Sequence, residues 1–138
     1  MCIFCQIAAG TAPSHKVYED QHTVAFLDNH PATDGHTLII TRRHEPRLEN
    51  LTPEETATLF QTLQRLVTPL QEAMDAPSSK ILINNGPEAG QIIPHVHVHV
   101  IPAQSRTPTI LHRVKPRTED YFQKVAEKIR KELPPSPA

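Results

Sequence analysis

The segment 95–101 alternates histidine with aliphatic residues, and it constrains the fold of this chain more than any other stretch. Successive side chains of a β-strand point to opposite faces, so the pattern predicts a strand with His95, His97 and His99 in one row. The valines and Ile101 are assigned to the opposite face, where a core covers them. Neighbouring histidines in such a row lie roughly 6.5 Å apart. Imidazole is suited to proton transfer and nucleophilic attack near neutral pH, so three in one row indicate a reactive site.

The size and composition of the chain limit the classes of protein to consider. Its 138 residues suffice for one domain, predicted over residues 1–133 with a disordered proline-rich tail at 134–138. A formal net charge of −1 argues against nucleic-acid binding through charge alone. No apolar run approaches the roughly 20 residues of a membrane span, and residues 1–5 (MCIFC) lack a secretory signal. We therefore expect a cytoplasmic protein with reduced cysteines.

Hydrophobic periodicity and turn residues predict an α+β domain in which helices pack on an antiparallel sheet. One helix is expected to begin after Thr52, which can form a capping box with Glu55, and to kink or end near Thr68, before Pro69. A last helix is expected to begin after Thr118. The predicted strands are 17–19, 23–27, 38–41, 80–84 and the histidine segment 95–101.

Several blocks of the sequence together resemble the histidine triad nucleotide-binding family. The central block is the run His-φ-His-φ-His-φ-φ at 95–101, where φ is an apolar residue. The resemblance extends from about residue 2 to residue 102, and it implies a five-stranded antiparallel sheet with two main helices, paired into a homodimer with a joined sheet. It also implies hydrolase or transferase chemistry at the α-phosphate of purine, adenosine-type nucleotides: phosphoramidates, aminoacyl-adenylates or dinucleoside polyphosphates. The other matching blocks are CIFC at 2–5, VYED at 17–20, AFLD at 25–28, GHTLII at 35–40 and NNGPEAGQ at 84–91.

The resemblance assigns catalytic roles to four histidines. His97, the middle one of the triad, is expected to attack phosphorus and form a covalent nucleotidyl-histidine that water then resolves. Its other ring nitrogen needs an acceptor, for which a backbone carbonyl is the best candidate. His99 is expected to donate a hydrogen bond to a non-bridging oxygen or to the leaving group. His36 matches the fourth active-site histidine of the family, and His95 completes the triad.

The resemblance also implies a nucleotide pocket that releases an AMP-type product. Asp28 is expected to accept from the ribose hydroxyls, although on its own it is as easily a turn residue, and Asn84 to touch the phosphate or bridging oxygen. Backbone N–H groups of Gly90, Gln91 and Ile92 are expected to cradle phosphate oxygens. The apolar candidates for the base pocket, any of which can equally be plain core, are Ile3, Phe4, Phe26 and Leu27.

Ile92 departs from the family pattern, in which this position is often Ser or Thr and its hydroxyl assists the leaving group. Loss of one such hydrogen bond can cost on the order of 10²-fold in rate. A slow hydrolase, a preference for good leaving groups, and a nucleotide-binding module with little turnover therefore all stay open. A further alternative is a zinc-dependent hydrolase in which His95 and His97 hold a metal that activates water.

The two cysteines form a Cys2-x-x-Cys5 pair without a second pair elsewhere in the sequence. A structural zinc takes four ligands, so on this chemistry alone a buried or redox-active pair is favoured. The resemblance to microbial-type members of the family implies a zinc ion bound by Cys2, Cys5, His44 and His95. Such a zinc is expected to be structural rather than catalytic, because it ties the N-terminal turn to the end of the catalytic strand.

The remaining histidines and basic residues receive ordinary interpretations. Neither a nucleic acid nor a membrane is expected as a partner. A basic stretch near the last helix, with Arg113, Lys115 and Arg117, is interpreted as a solvated loop rather than as a polyphosphate contact. The histidines interpreted as surface residues are His15, His22, His30 and His112.

Overall fold

The fold is built on one antiparallel sheet of five strands. The computed structural model describes residues 2–105 and 117–134. The strand order across the sheet is first, second, third, fifth, fourth, and every neighbouring pair is antiparallel. This arrangement confirms the predicted α+β class and the five-stranded sheet. The strands are β1 (Lys16–Glu19), β2 (Thr23–Leu27), β3 (Thr37–Thr41), β4 (Ser78–Leu82) and β5 (His97–Ala103).

Three helices accompany the sheet: α1 (Ile3–Ala9), α2 (Pro53–Ala73) and α3 (Glu119–Glu132). The capping box that begins α2 is confirmed, because Glu55 N–H donates to Thr52 Oγ1 at 3.0 Å and Thr52 N–H donates back to the Glu55 carboxylate at 2.9 Å. Of the two outcomes expected near Thr68, a kink or an end, the end is wrong, since the helix continues through Pro69. Pro69 is buried with its neighbour Leu70, and this packing offsets the hydrogen bond that proline cannot make.

Helix α1 was not predicted from the sequence. It has only seven residues, too few to show a helical period, and its N-cap is Cys2 rather than one of the usual capping residues. The Cys2 thiol nevertheless accepts a hydrogen bond from Cys5 N–H at 3.3 Å. Gly10, with φ of +77°, ends the helix in the left-handed conformation that glycine adopts without strain.

The sheet separates two apolar clusters, one on each face. Helices α2 and α3 cover one face, where Leu66 and Ile129 belong to the same buried cluster as Val98 and Val100 of β5. Helix α1 covers part of the other face. There, Phe4 and Ile7 of the helix form a cluster with every second residue of β2 and β3, namely Val24, Phe26, Leu38 and Ile40. Because strand side chains alternate, β5 points its valines into the larger core and His97 and His99 to the side of α1.

Three details of the predicted strands are corrected by the structure. Ile101 was assigned to the valine face, but the alternation of β5 places it with the histidines, and it is not part of the cluster under α2 and α3. Strand β5 begins at His97 because Val96 N–H donates to Glu45 O, outside the sheet. Strand β4 lies two residues earlier than predicted, since its pairing with β5 stops at Leu82.

Two further predictions concern parts of the chain that are not described. The tail from residue 135 onwards lies outside the described residues, as do His112, Arg113 and Lys115. In the ranges 2–105 and 117–134, no helix is long and apolar enough to cross a membrane.

Candidate active site and metal centre

A cavity of about 640 Å³ opens on the α1 side of the sheet, next to the ends of β3 and β5. Its volume falls within the range of pockets that enclose small organic ligands. His97 and His99 enter it from β5, and His36 enters from the residue before β3. The residues predicted for the site that line this cavity are His36, His97, His99, Asp28, Asn84, Gly90, Ile92, Ile3, Phe4, Phe26 and Leu27.

Other residues of the cavity wall were not predicted from the sequence. Two of them, Ile7 and Leu38, could have been predicted from the sequence. Ile7 shares a helix face with Phe4, and Leu38 shares a strand face with His36. His30, interpreted as a surface histidine, is exposed but also borders the cavity. The others, which lie on separate loops that only the tertiary fold brings together, are Pro13, Ser14, Asn29, Ala32 and Ile93.

His97 is held in one tautomer by the backbone. Its Nδ1 lies 2.7 Å from His95 O, and a carbonyl only accepts, so Nδ1 carries the proton and Nε2 carries the lone pair. Burial lowers the pKa of His97 below its ordinary value, which keeps the ring neutral at pH 7. The Phe4 ring packs edge-on against the imidazole, with centroids 5.0 Å apart. His97 therefore has the protonation state that a nitrogen nucleophile requires.

His36 and His99 form a directional chain of hydrogen bonds. Ala32 N–H donates to His36 Nδ1 at 3.0 Å, so the proton of His36 sits on Nε2 and points to His99 Nδ1, 2.9 Å away. The proton of His99 must then sit on Nε2, which is buried and has no partner among the described residues. Burial, with a further contribution from His97, lowers the pKa of His36 and of His99 to about 4. His99 therefore presents a neutral N–H donor that lacks an acceptor.

Asp28 is a turn residue that also lies beside His36. One carboxylate oxygen accepts from His30 N–H at 2.9 Å, as a turn residue does, while the other lies 3.5 Å from His36 Nε2. Asp28, His36 and His99 are close enough together to hold a metal ion. However, the Ala32 N–H occupies the lone pair of His36 Nδ1, so His36 Nε2 bears a proton where a metal would need a lone pair. This trio is therefore a hydrogen-bonded set rather than a metal site.

The predicted phosphate cradle is reduced to one of its three backbone groups. The N–H of Gly90 donates to Pro87 O at 3.0 Å, and that of Gln91 donates to Gly86 O at 3.2 Å. Neither is free for a phosphate. Within the described part of the chain, the N–H of Ile92 has no such partner. The first two donors are used within the tight turn that this loop forms.

Gln91 does not line the cavity and instead holds the loop together. Its side-chain oxygen accepts from Gly86 N–H at 2.7 Å, and its amide nitrogen donates to Ile93 O at 3.1 Å. This bracing places Gly90, in the left-handed conformation at φ +95°, beside the Asn84 side chain. Gln91 thus acts on the site through the loop and not by direct contact.

The second cluster joins Cys2, Cys5, His44 and His95, whose candidate ligand atoms all lie within 4.8 Å of one another. The Cys2 and Cys5 sulfurs are 3.5 Å apart, and Cys5 Sγ lies 3.3 Å from His44 Nδ1. Tetrahedral zinc, with bonds of about 2.3 Å to sulfur and 2.0 Å to nitrogen, separates its ligand atoms by roughly 3.3–3.8 Å. The donor set and its spacing therefore fit a zinc ion.

His95 belongs to this metal cluster and not to the cavity. Its Nε2–H donates to Thr41 O at 2.7 Å, which turns the Nδ1 lone pair towards Cys2 Sγ at 3.5 Å and Cys5 Sγ at 3.6 Å. Its ring is absent from the cavity lining, so the structure favours the predicted ligand role over the catalytic one. Among the described residues, the group around His95 that could hold a metal contains His44 and the two cysteines and does not include His97.

An antiparallel sheet that carries the alternating histidine run, with His97 and His99 facing a ligand-sized cavity, is the arrangement that the resemblance to the histidine triad family implies. The family model described as HIT domain matches residues 9–106. The chain belongs to the HIT domain family, whose members are nucleotide-binding hydrolases and transferases.

Comparisons with individual proteins agree with this family. The relative named Protein hit, from Bacillus subtilis, is 35% identical over 136 residues, 96% of this chain and 94% of the relative. Adenylylsulfatase HINT3 of Arabidopsis thaliana is 38% identical over 105 residues, and the match covers 76% of this chain but only 53% of that protein. A solved Zn-bound histidine triad family protein from Mycobacterium smegmatis superposes with a TM-score of 0.81 at 34% identity, covering 96% of this chain and 92% of that one.

Proposed function

We propose that this protein hydrolyses or transfers the nucleotidyl group of purine, adenosine-type nucleotide conjugates through a covalent intermediate on His97. The observation that carries the proposal is the tautomer of His97, whose Nδ1–H is held by the His95 carbonyl while Nε2 remains a nucleophile inside the cavity. The name of the Arabidopsis relative, adenylylsulfatase, designates activity on an adenylyl conjugate.

The reaction divides into two displacements at the α-phosphorus. In the first, the Nε2 lone pair of His97 forms a bond to phosphorus, and the bond to the leaving group breaks with its electron pair. The His99 Nε2–H is placed to donate to a phosphoryl oxygen or to the departing atom. In the second, water attacks phosphorus, and the bond between phosphorus and the His97 nitrogen breaks with its electron pair staying on nitrogen. The proton that the water loses balances the proton that the leaving group takes up, and the nucleoside monophosphate is released. His97 returns to its neutral starting form.

The charge of the cavity favours one class of leaving group. Among the described residues that line it there is no Lys or Arg, and Asp28 is the one carboxylate. The buried His36 and His99 are neutral at pH 7, because burial lowers the pKa of each to about 4. A polyphosphate leaving group would find little positive charge here. The site therefore favours phosphoramidates and acyl-adenylates over dinucleoside polyphosphates.

A substrate panel tests this proposal. We expect kcat/KM for an adenosine 5′-phosphoramidate to exceed that for diadenosine tetraphosphate by about 10-fold or more, since only the second carries a highly charged leaving group. Ile92→Ser should raise the rate for an alkylamine conjugate by up to about 10²-fold and change an aryl-activated ester little, because only the poor leaving group needs a hydroxyl. Faster cleavage of the tetraphosphate would contradict the charge argument.

The same panel decides between catalysis and simple binding. Ile92 has no hydrogen-bonding group and is 78% exposed, which motivates a nucleotide-binding module as the second candidate. Such a module would bind AMP tightly in calorimetry and turn over neither substrate. A measurable turnover number with either conjugate excludes it.

We also propose that Zn²⁺ occupies the Cys2, Cys5, His44 and His95 centre as a structural ion in a cytoplasmic protein. The ligand spacing and the orientation of His95 support it, and reduced thiols suit this location. When bound, the ion would link the start of α1 to the segment before β5. None of the four candidate ligand residues lines the cavity, so the zinc ion would stabilise the fold and would not act as a Lewis acid on the substrate.

A homodimer with a joined sheet completes the proposal. Within residues 2–105 and 117–134, strand β4 lies at one edge of the sheet and pairs only with β5, and its Ile81 is 42% exposed. An edge strand with an exposed apolar residue is suited to antiparallel pairing with a second copy about a two-fold axis. Sedimentation equilibrium should give twice the chain mass, and Ile81→Lys should shift it towards the monomer. A monomer mass for the unaltered protein at micromolar concentration would refute the pairing.

A further inference from the structure

The metal centre and the cavity share a stretch of four residues. Cys2 and Cys5 belong to the metal centre, and the two residues between them, Ile3 and Phe4, line the cavity. Phe4 is buried, and its ring lies edge-on to His97 with centroids 5.0 Å apart and planes at 85°. Any change in the position of the two thiols therefore moves the apolar wall against which His97 packs.

A second connection runs through the backbone of His95. Its ring nitrogen Nδ1 faces the Cys2 and Cys5 sulfurs at 3.5 and 3.6 Å, while its carbonyl oxygen accepts from His97 Nδ1 at 2.7 Å. One residue thus contacts the metal centre with its side chain and the proposed nucleophile with its main chain. The metal centre is therefore connected to the cavity in two independent ways, through the side chain of Phe4 and through the backbone of His95.

Little else fixes the position of α1. Its seven residues are too few for a helix to be stable without tertiary support. Only Phe4 and Ile7 are buried, and one hydrogen bond from Arg42 to Ala8 O, at 3.0 Å, ties its last turn to the sheet. Ligation of Cys2 and Cys5 would add an anchor at the first turn, where the cavity-lining side chains lie. An anchored wall loses less conformational entropy when a ligand packs against it.

We propose that zinc at the Cys2, Cys5, His44 and His95 centre and a nucleoside monophosphate in the cavity bind cooperatively, each raising the affinity of the other. This inference rests on the proposed nucleotide function. The coupling is reciprocal by thermodynamic necessity, so zinc must strengthen AMP binding by the same factor by which AMP strengthens zinc binding. Couplings of this kind typically amount to about 5- to 150-fold, and we expect the lower part of that range.

The experiment measures both sides of the cycle on the full-length protein. AMP affinity is determined by calorimetry on zinc-loaded and zinc-stripped protein, and zinc affinity by competition with a chromophoric chelator, with and without saturating AMP. We expect AMP to bind about 5- to 20-fold more tightly in the loaded form and the zinc affinity to rise by the same factor. Amide exchange in α1 should be slower in the loaded form.

Variants separate this coupling from general damage. His44 is exposed, lies outside the cavity lining and is 3.3 Å from Cys5 Sγ, so His44→Ala weakens zinc binding without altering the cavity wall. At a zinc concentration that saturates only the wild type, this variant should bind AMP as weakly as the stripped protein does. His22→Ala, which changes an exposed histidine at neither site, is the matched control and should behave as wild type. Phe4→Leu keeps all four ligands and should reduce the coupling factor.

The outcomes are distinguishable. Equal AMP affinity in the loaded and stripped forms overturns the coupling and leaves the proposed function standing. If neither form binds AMP, both the proposed function and the coupling are overturned. If the protein does not bind zinc, the coupling is overturned, because one of the two coupled ligands is missing. A zinc effect on AMP affinity that His44→Ala leaves unchanged would also refute it, since it would show that zinc acts at another place.

Discussion

His97→Ala is expected to lower kcat/KM for an adenosine phosphoramidate by about 10⁴-fold or more, because it removes the atom that bonds to phosphorus. The measurement is a rapid acid-free quench with α-labelled substrate, followed by separation of the protein. Wild-type protein should retain an acid-labile label during turnover, and the variant should retain none. The fold should survive the change, since His97 lies on the cavity side of the sheet and makes no part of the core under α2 and α3.

His99→Ala provides the contrast for this experiment. It removes a hydrogen-bond donor and not the nucleophile, so we expect a loss of about 10²- to 10³-fold with the label still formed. His22→Ala, far from the cavity lining, should leave kcat/KM unchanged. A label that persists on His97→Ala would show that another residue forms the intermediate, and it would end the assignment of His97.

Removal of zinc should produce the largest change in stability. Where free zinc exceeds its dissociation constant about 1,000-fold, binding adds ~4 kcal/mol to the free energy of unfolding. For a chain of this size the loss corresponds to a fall in Tm of roughly 10–20 °C. Scanning calorimetry of loaded, chelated and reloaded protein measures it. The chelated protein should remain folded at 25 °C, because the larger core contains none of the four ligands.

Cys5→Ser tests whether this loss arises at the proposed centre. The variant should have the Tm of the chelated protein, and a chelator should change it no further. Elemental analysis should find one zinc per wild-type chain and much less in the variant. Wild-type protein that is free of zinc when purified, and whose Tm a chelator does not change, would contradict the structural role.

The elements predicted well are those whose signals are local. The apolar, β-branched runs of β2 and β3, and the Thr52 and Glu55 capping box, depend on residues a few positions apart, so their outcome needs no knowledge of the rest of the fold. The early end of α2 at Pro69 was wrong because burial of the proline outweighed a missing hydrogen bond. Helix α1 was missed because seven residues carry no period, and tertiary contacts through Phe4 and Ile7 hold it in place.

The residues of the site divide in the same way. His97 and His99 share one face of a strand, which their spacing alone predicts. The resemblance to the histidine triad family named His36 and the four candidate metal ligands, whose ligand atoms lie within 4.8 Å of one another. The direction of each hydrogen bond could not be predicted from the sequence. Whether a ring nitrogen donates or accepts depends on the group opposite it, as with His36 between Ala32 and His99.

The sequence by itself determined which side chains are available and, through alternation, that two imidazoles face one side of β5. The sequence left His95 with both a catalytic and a ligand role, and only the tertiary structure turned its ring towards the thiols and showed that its carbonyl orients His97. It also decided that the N–H groups of Gly90 and Gln91 donate to carbonyl oxygens within their own turn. The physical reason is that the face to which each side chain points follows from the backbone of one strand. A hydrogen bond needs a donor and an acceptor, and distant parts of the chain decide whether the two come into contact.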